Sequence, residues 1–212
     1  MTEITFASID IASDFRALNF ISSDLGEHVY LLLVFDAPNG GTLYKDLFPV
    51  CWTCFSPTFP LDEHRKPGLR LKRTKMPGSI GQICTLKTND SNGQNYLTSP
   101  EEGDPDVIQC RMMTATAADL GVGLITKAGT KIEPLFLWND IGRTSTLAIK
   151  LKPMLKIYAV SDATDFVGGK LIKSAFRTAP VLEINLISLT TFTEWQVYIN
   201  PSTKAIEIKQ ID

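Results

Sequence analysis

Histidine is almost missing from this chain: His28 and His64 are the only two among 212 residues. Histidine is the usual general base near neutral pH, so imidazole catalysis has two candidate positions. His28 follows Glu27, and His64 stands in the charged run Asp62-Glu63-His64-Arg65. Both contexts suit surface residues. The enzyme reading reduces to one form, a small-molecule enzyme on a β scaffold that pairs His28 or His64 with a carboxylate. Phosphate-binding loops are missing as well. Neither G-x-x-x-x-G-K-[ST] nor G-x-G-x-x-G occurs, and the fragments Gly121-Val122-Gly123 and Gly168-Gly169-Lys170 read as turns. No G-x-S-x-G nucleophile elbow is present either. No cofactor is expected.

Cysteine is sparse, four in the whole chain, which excludes a disulfide scaffold. Cys51-x-x-Cys54 has the spacing of a redox pair or half a zinc site. A redox pair opens a helix, whose N-terminus favours the thiolate. Here Phe48, Pro49 and Val50 precede the pair, and Phe55, Ser56 and Pro57 follow it. Structural zinc needs two further ligands at workable spacing. Cys84 and Cys110 fall in separate predicted strands. The pair is read as core thiols, and no metal is expected.

Long apolar runs are absent. The longest, Val29 to Phe35, is far short of the roughly 20 residues of a membrane-spanning helix. The N-terminus shows no basic segment ahead of an apolar one, so a soluble, cytoplasmic protein is expected. A net charge of −2 provides no global field for nucleic acid or anionic membrane. The basic segment Arg65 to Lys75 lacks interleaved aromatics for base stacking. Nucleic acid is not an expected partner.

What is present is strand. Hydrophobic residues make up 44% and charged ones 21%, enough to build a packed core. Val29 to Phe35 has almost no polar alternation, so it predicts a strand covered on both faces. Asn39-Gly40 predicts a hairpin returning over Thr42 to Phe48, and Phe48 to Pro57 then reads as one core strand. Ile4 to Ile11, Ile80 to Leu86, Val107 to Thr114, Thr144 to Leu151 and Met154 to Val160 also read as strands. Thr116 to Leu120 reads as a helical turn stopped by Gly121. Thr88 to Asp106, with Glu101, Glu102, Asp104 and Asp106, reads as a long exposed acidic loop or a pair of irregular turns, and is the best place for mobility. The C-terminal pattern is the clearest. Trp195, Val197 and Ile199 alternate with Gln196 and Tyr198, and after the turn Asn200 to Lys204, Ile206 and Ile208 alternate with Glu207 and Lys209.

These strands, with turn signals between them and no long helical pattern, predict an all-β fold. The expected architecture is an antiparallel, jelly-roll-like β-sandwich with at most one or two short helical turns. One domain over 1–212 is the simpler organisation, with a possible subdivision near 161–177. The leading functional expectation is a non-enzymatic binding or interaction protein. Lectin-like carbohydrate binding and self-association into a homo-oligomer are its two forms, so the partner is a carbohydrate or another protein. Trp138, Asn139 and Asp140 are the candidate ligand-binding residues: an indole face for a sugar ring beside two hydroxyl-binding side chains. A membrane-active, pore-forming β protein is a further alternative, suited by the many Thr and Ser residues in strands.

Overall fold

A computed structural model describes residues 4–9, 17–22, 25, 29–39, 41–57, 75–125, 132–161 and 168–211. The architecture is all-β and sandwich-like, with several sheets that are mainly antiparallel. Among the described residues there is no α-helix, only one 3-10 turn at Leu186–Ser188.

The apolar run forms β3 (Tyr30–Phe35), and every residue after Tyr30 is buried. Its two flanks are β14 (Met154–Val160) and β5 (Thr53–Phe55), both antiparallel, with β15 (Leu182–Asn185) outside β14. Side chains alternate across a strand. Leu31, Leu33 and Phe35 therefore join Leu155, Ile157 and Trp138 in the main core. Leu32 and Val34 face the other way and are covered by Cys51 and Ile172. The expected two-sided burial is thus present.

A second sheet runs β4 (Leu47–Pro49), β12 (Ile132–Ile141), β11 (Ala118–Ile125), β1 (Ile4–Ile9) and β6 (Lys75–Gly78). A third runs β13 (Thr146–Ile149), β10 (Ile108–Met113), β7 (Gln82–Thr88) and β8 (Asn95–Leu97), with β9 (Glu101–Glu102) also on β7. The C-terminal hairpin, β16 (Phe192–Ile199) and β17 (Ile206–Gln210), takes β2 (Ala17–Ile21) as its third strand. Trp195 and Val197 of β16 enter the core as the alternation requires.

Several local expectations are corrected. Residues after Asp36 do not return beside β3, because β14 and β5 already hold both of its edges. The chain crosses instead through a tight turn at Thr42–Leu47 to β4, which pairs with β12. Phe48 to Pro57 is not one strand. It leaves the second sheet after Pro49 and enters the first at Thr53, so Cys51 and Trp52 form the corner between sheets. Thr116 to Leu120 is not a helical turn: from Ala118 it is strand, paired on one side with β12 and on the other with β1. Gly121-Val122-Gly123 is likewise mid-strand and not a turn. The acidic segment holds two short strands clamped to β7, β8 as its hairpin partner and β9, and is not a long irregular loop. The pairs β1–β11, β1–β6, β7–β10 and β2–β16 are parallel. Alternation of side chains is the same in parallel and antiparallel ladders, so sequence periodicity did not reveal this mixture.

A cleft at a β-bulge

The candidate site is built around an irregularity in the β11–β12 ladder. Ala118 pairs with Ile141 and Leu120 with Trp138, so Asp119 alone faces the two residues Asn139 and Asp140. That is a β-bulge, which bends a strand and re-aims its side chains. Asp140 takes the left-handed conformation, with φ of 52°. This region is costly for most residues, but Asp and Asn tolerate it. Its N–H donates to Asp119 Oδ1 at 2.9 Å, which pins the bulge.

Asp119 lines a cleft of about 430 Å³, within the usual range for small-ligand sites. Thr88 and Asn95 form one side, as a cross-strand pair at the end of the β7–β8 hairpin. Residues 115–118, leading into β11, form the other. The two sides are tied together: Thr88 Oγ1 donates to Asn95 Oδ1 at 2.8 Å and accepts from Ala115 N at 2.9 Å. Arg143 Nη1 holds Ala115 O from outside at 3.1 Å, and Thr114 Oγ1 donates to Thr116 O at 2.6 Å. Gly93 completes the rim with φ of 68°, closing the turn that begins at Asn89. Asn89 Oδ1 accepts from both Ser91 N and Ser91 Oγ, so Asn89-Asp90-Ser91 is a polar turn. The walls are therefore short side chains on a hydrogen-bonded frame, and Asp119 supplies the charge.

The predicted residues distribute unequally around this cleft. Asp140 is exposed and joined to it through Asp119. Asn139 is half-buried, its N–H bonded to Asp46 O at 3.0 Å, and its Oδ1 is buried with no hydrogen-bond partner. Trp138 is only 2% exposed and packs at a tilt on Phe136, ring centroids 6.1 Å apart. The indole expected to offer a face to a sugar is core. His28 and His64 lie outside the described residues, as does most of the basic segment. Periodicity and motif reading missed Thr88, Asn95 and Asp119. The one usable signal was Asn139-Asp140 beside a strand-end tryptophan, which marks the bulge.

All four cysteines are free thiols. Cys51 is fully buried, and burial together with the neighbouring Cys54 pushes its thiol up to about 12. Among the described residues no group of three or more His, Cys, Asp or Glu is placed to hold a metal ion. None of their helices is long and apolar enough to cross a membrane.

Comparison of the chain with protein-family models, with curated proteins and with solved structures finds no match.

Proposed function

We propose that this chain is a non-enzymatic binding protein that takes a small hydroxyl-rich ligand, of the carbohydrate class, in the cleft at Asp119. The observation that carries the reading is Asp119 itself. Its Oδ1 accepts from Asp140 N at the bulge, and its carboxylate lines the cleft, where it can accept from ligand hydroxyls. A carboxylate accepts hydrogen bonds roughly twice as strong as a neutral group does. Thr116 adds an exposed hydroxyl, and the alanines and Gly93 leave room for a ring to approach the backbone. Among the described residues lining the cleft, Asp119 alone is titratable. Acid–base catalysis calls for a positioned proton donor or acceptor of matched pKa, usually within a set of groups, so one carboxylate on a fixed frame supports binding.

Isothermal titration of a panel of mono- and disaccharides tests this. At least one member binds, Asp119→Ala weakens it by about tenfold, the loss of one charge-assisted hydrogen bond, and Ala117→Leu abolishes it by filling the cleft. Ala117 is exposed, so that variant folds as the parent does. A panel with no heat of binding, or binding that survives both substitutions, refutes the reading.

A further inference from the structure

Cys84 and Cys110 lie 26 positions apart in the chain, yet the fold seats them opposite each other in the parallel ladder of β7 and β10. Neighbouring strands run about 4.8 Å apart. That spacing falls inside the roughly 4.4–6.8 Å between Cα atoms that a disulfide spans. Both side chains enter the same apolar cluster, with Leu86, Leu97, Met112 and Leu120, so both point to the same face. The two thiols act on each other's protonation, and Cys84 Sγ donates to Gln109 O at 3.6 Å. Neither is bound to any other thiol or metal ligand set among the described residues.

We propose that Cys84 and Cys110 are a redox pair that closes to an intramolecular disulfide when a small organic disulfide serves as oxidant. Cys84 is the attacking thiol. It is the more accessible, 8% exposed against 1%, and the hydrogen bond from Cys110 holds it below its ordinary range, whereas that bond and burial push Cys110 up. The Cys84 thiolate attacks one sulfur of the oxidant, and the far sulfur leaves as a thiolate. Cys110 then gives its proton to a thiolate in solution and attacks the Cys84 sulfur, expelling the second thiol. Two protein thiols are oxidised to one disulfide, and one small disulfide is reduced to two thiols.

The step is favoured because the partner thiol is already in place, so ring closure costs little chain entropy. Strand spacing permits it with a small displacement of β7 against β10. The inference does not depend on the ligand of the cleft.

The test treats the native full-length protein with bis(2-hydroxyethyl) disulfide, quenches free thiols with an alkylating agent, and maps the peptides without reduction. The expected product links the peptide of Cys84 to that of Cys110, with a mass loss of two hydrogens, and is reversed by dithiothreitol. A Cys51→Ser/Cys54→Ser variant gives the same cross-link, and Cys110→Ser stops at the mixed disulfide on Cys84. Cys84 and Cys110 still alkylated after exposure, a lasting adduct on wild-type Cys84, or a link only between Cys51 and Cys54 overturns the proposal. The wild-type map decides even if a variant fails to fold.

Discussion

Replacing Gly123 with alanine should be among the most damaging single-methyl additions this chain can receive. Gly123 sits mid-strand in β11, where the ladder shifts register and Gly123 faces Pro134. A Cβ there would lie 2.3 Å from the backbone oxygen of Glu133 and 2.8 Å from its carbonyl carbon. Both are well inside contact distance, and the obstacle is backbone, which has no rotamer to change. β11 and β12 would have to part by about an ångström in a close-packed interior. That movement weakens ladder hydrogen bonds and pulls Glu133 from Trp52, whose Nε1 donates to Glu133 Oε2 at 2.9 Å. Overpacking costs about 1–3 kcal/mol, and a rigid obstacle places this case near the top, about 3 kcal/mol. With a urea m-value of about 2 kcal/mol/M, the midpoint falls by about 1.5 M. Urea unfolding followed by circular dichroism reads it directly. Gly142→Ala is the control: an added Cβ meets nothing within 4 Å, so its midpoint stays within about 0.3 M of the parent. If Gly123→Ala behaves like Gly142→Ala, the close approach of these strands is wrong.

Trp52→Phe keeps an aromatic ring near Phe35, whose centroid lies 5.2 Å from that of Trp52, but deletes the donor to Glu133. It should cost about 1–2 kcal/mol in the same urea assay; a change under about 0.3 kcal/mol would mean the bond adds nothing. A third concerns Asp36, whose carboxylate accepts from Lys156 Nζ at 2.8 Å, with Lys152 Nζ at 3.7 Å. Burial works to raise the Asp36 carboxyl, but the hydrogen bond and charges of the two lysines outweigh it and hold it below 3.8. A depressed carboxylate contributes stability above its unfolded pKa and loses it as pH falls through the folded value. Asp36→Asn should therefore cost about 0.5–1 kcal/mol at pH 7, a partly exposed pair being well screened, and the gap to wild type should close as pH drops below about 4. A gap that persists at low pH would show that the pair's charge is not responsible.

How much of this was legible in sequence depends on where each strand's partners lie. β3 was readable because Leu31 to Phe35 is unbroken apolar sequence, and β16–β17 because Trp195, Val197, Ile206 and Ile208 alternate cleanly and a turn joins them. The hairpin drawn from Asn39-Gly40 failed for a non-local reason. Position 36 onward was free to fold back only if β3 had an open edge, and β14 closes that edge from more than a hundred residues away. The cleft was illegible for the same reason. Thr88, Asn95 and Asp119 are ordinary polar residues in their own neighbourhoods, and only strand pairing and the tie from Ala115 N to Thr88 bring their segments together. Asn139 and Asp140 were found by composition, yet what their composition marks is the bulge, and Trp138 beside them serves the core.

The cysteines show the same contrast in chemical terms. Cys51 and Cys54 are conspicuous because three positions separate them, but the chain changes sheets between them. Val50 N–H bonds Leu135 O on one side, and Cys51 N–H bonds Lys170 O on the other, with Gly169 N–H returning to Cys51 O. Backbone partners on both flanks fix the corner and bury the Cys51 sulfur where no helix terminus can favour a thiolate. Burial dominates, and the thiol stays protonated at neutral pH. Cys84 and Cys110 are inconspicuous in sequence, but one register of one parallel ladder makes them neighbours in one apolar cluster. Thiol chemistry needs two sulfurs within reach and one of them ionisable. Ladder register supplies the first condition at β7 and β10, whereas burial keeps Cys51 protonated despite its closeness to Cys54.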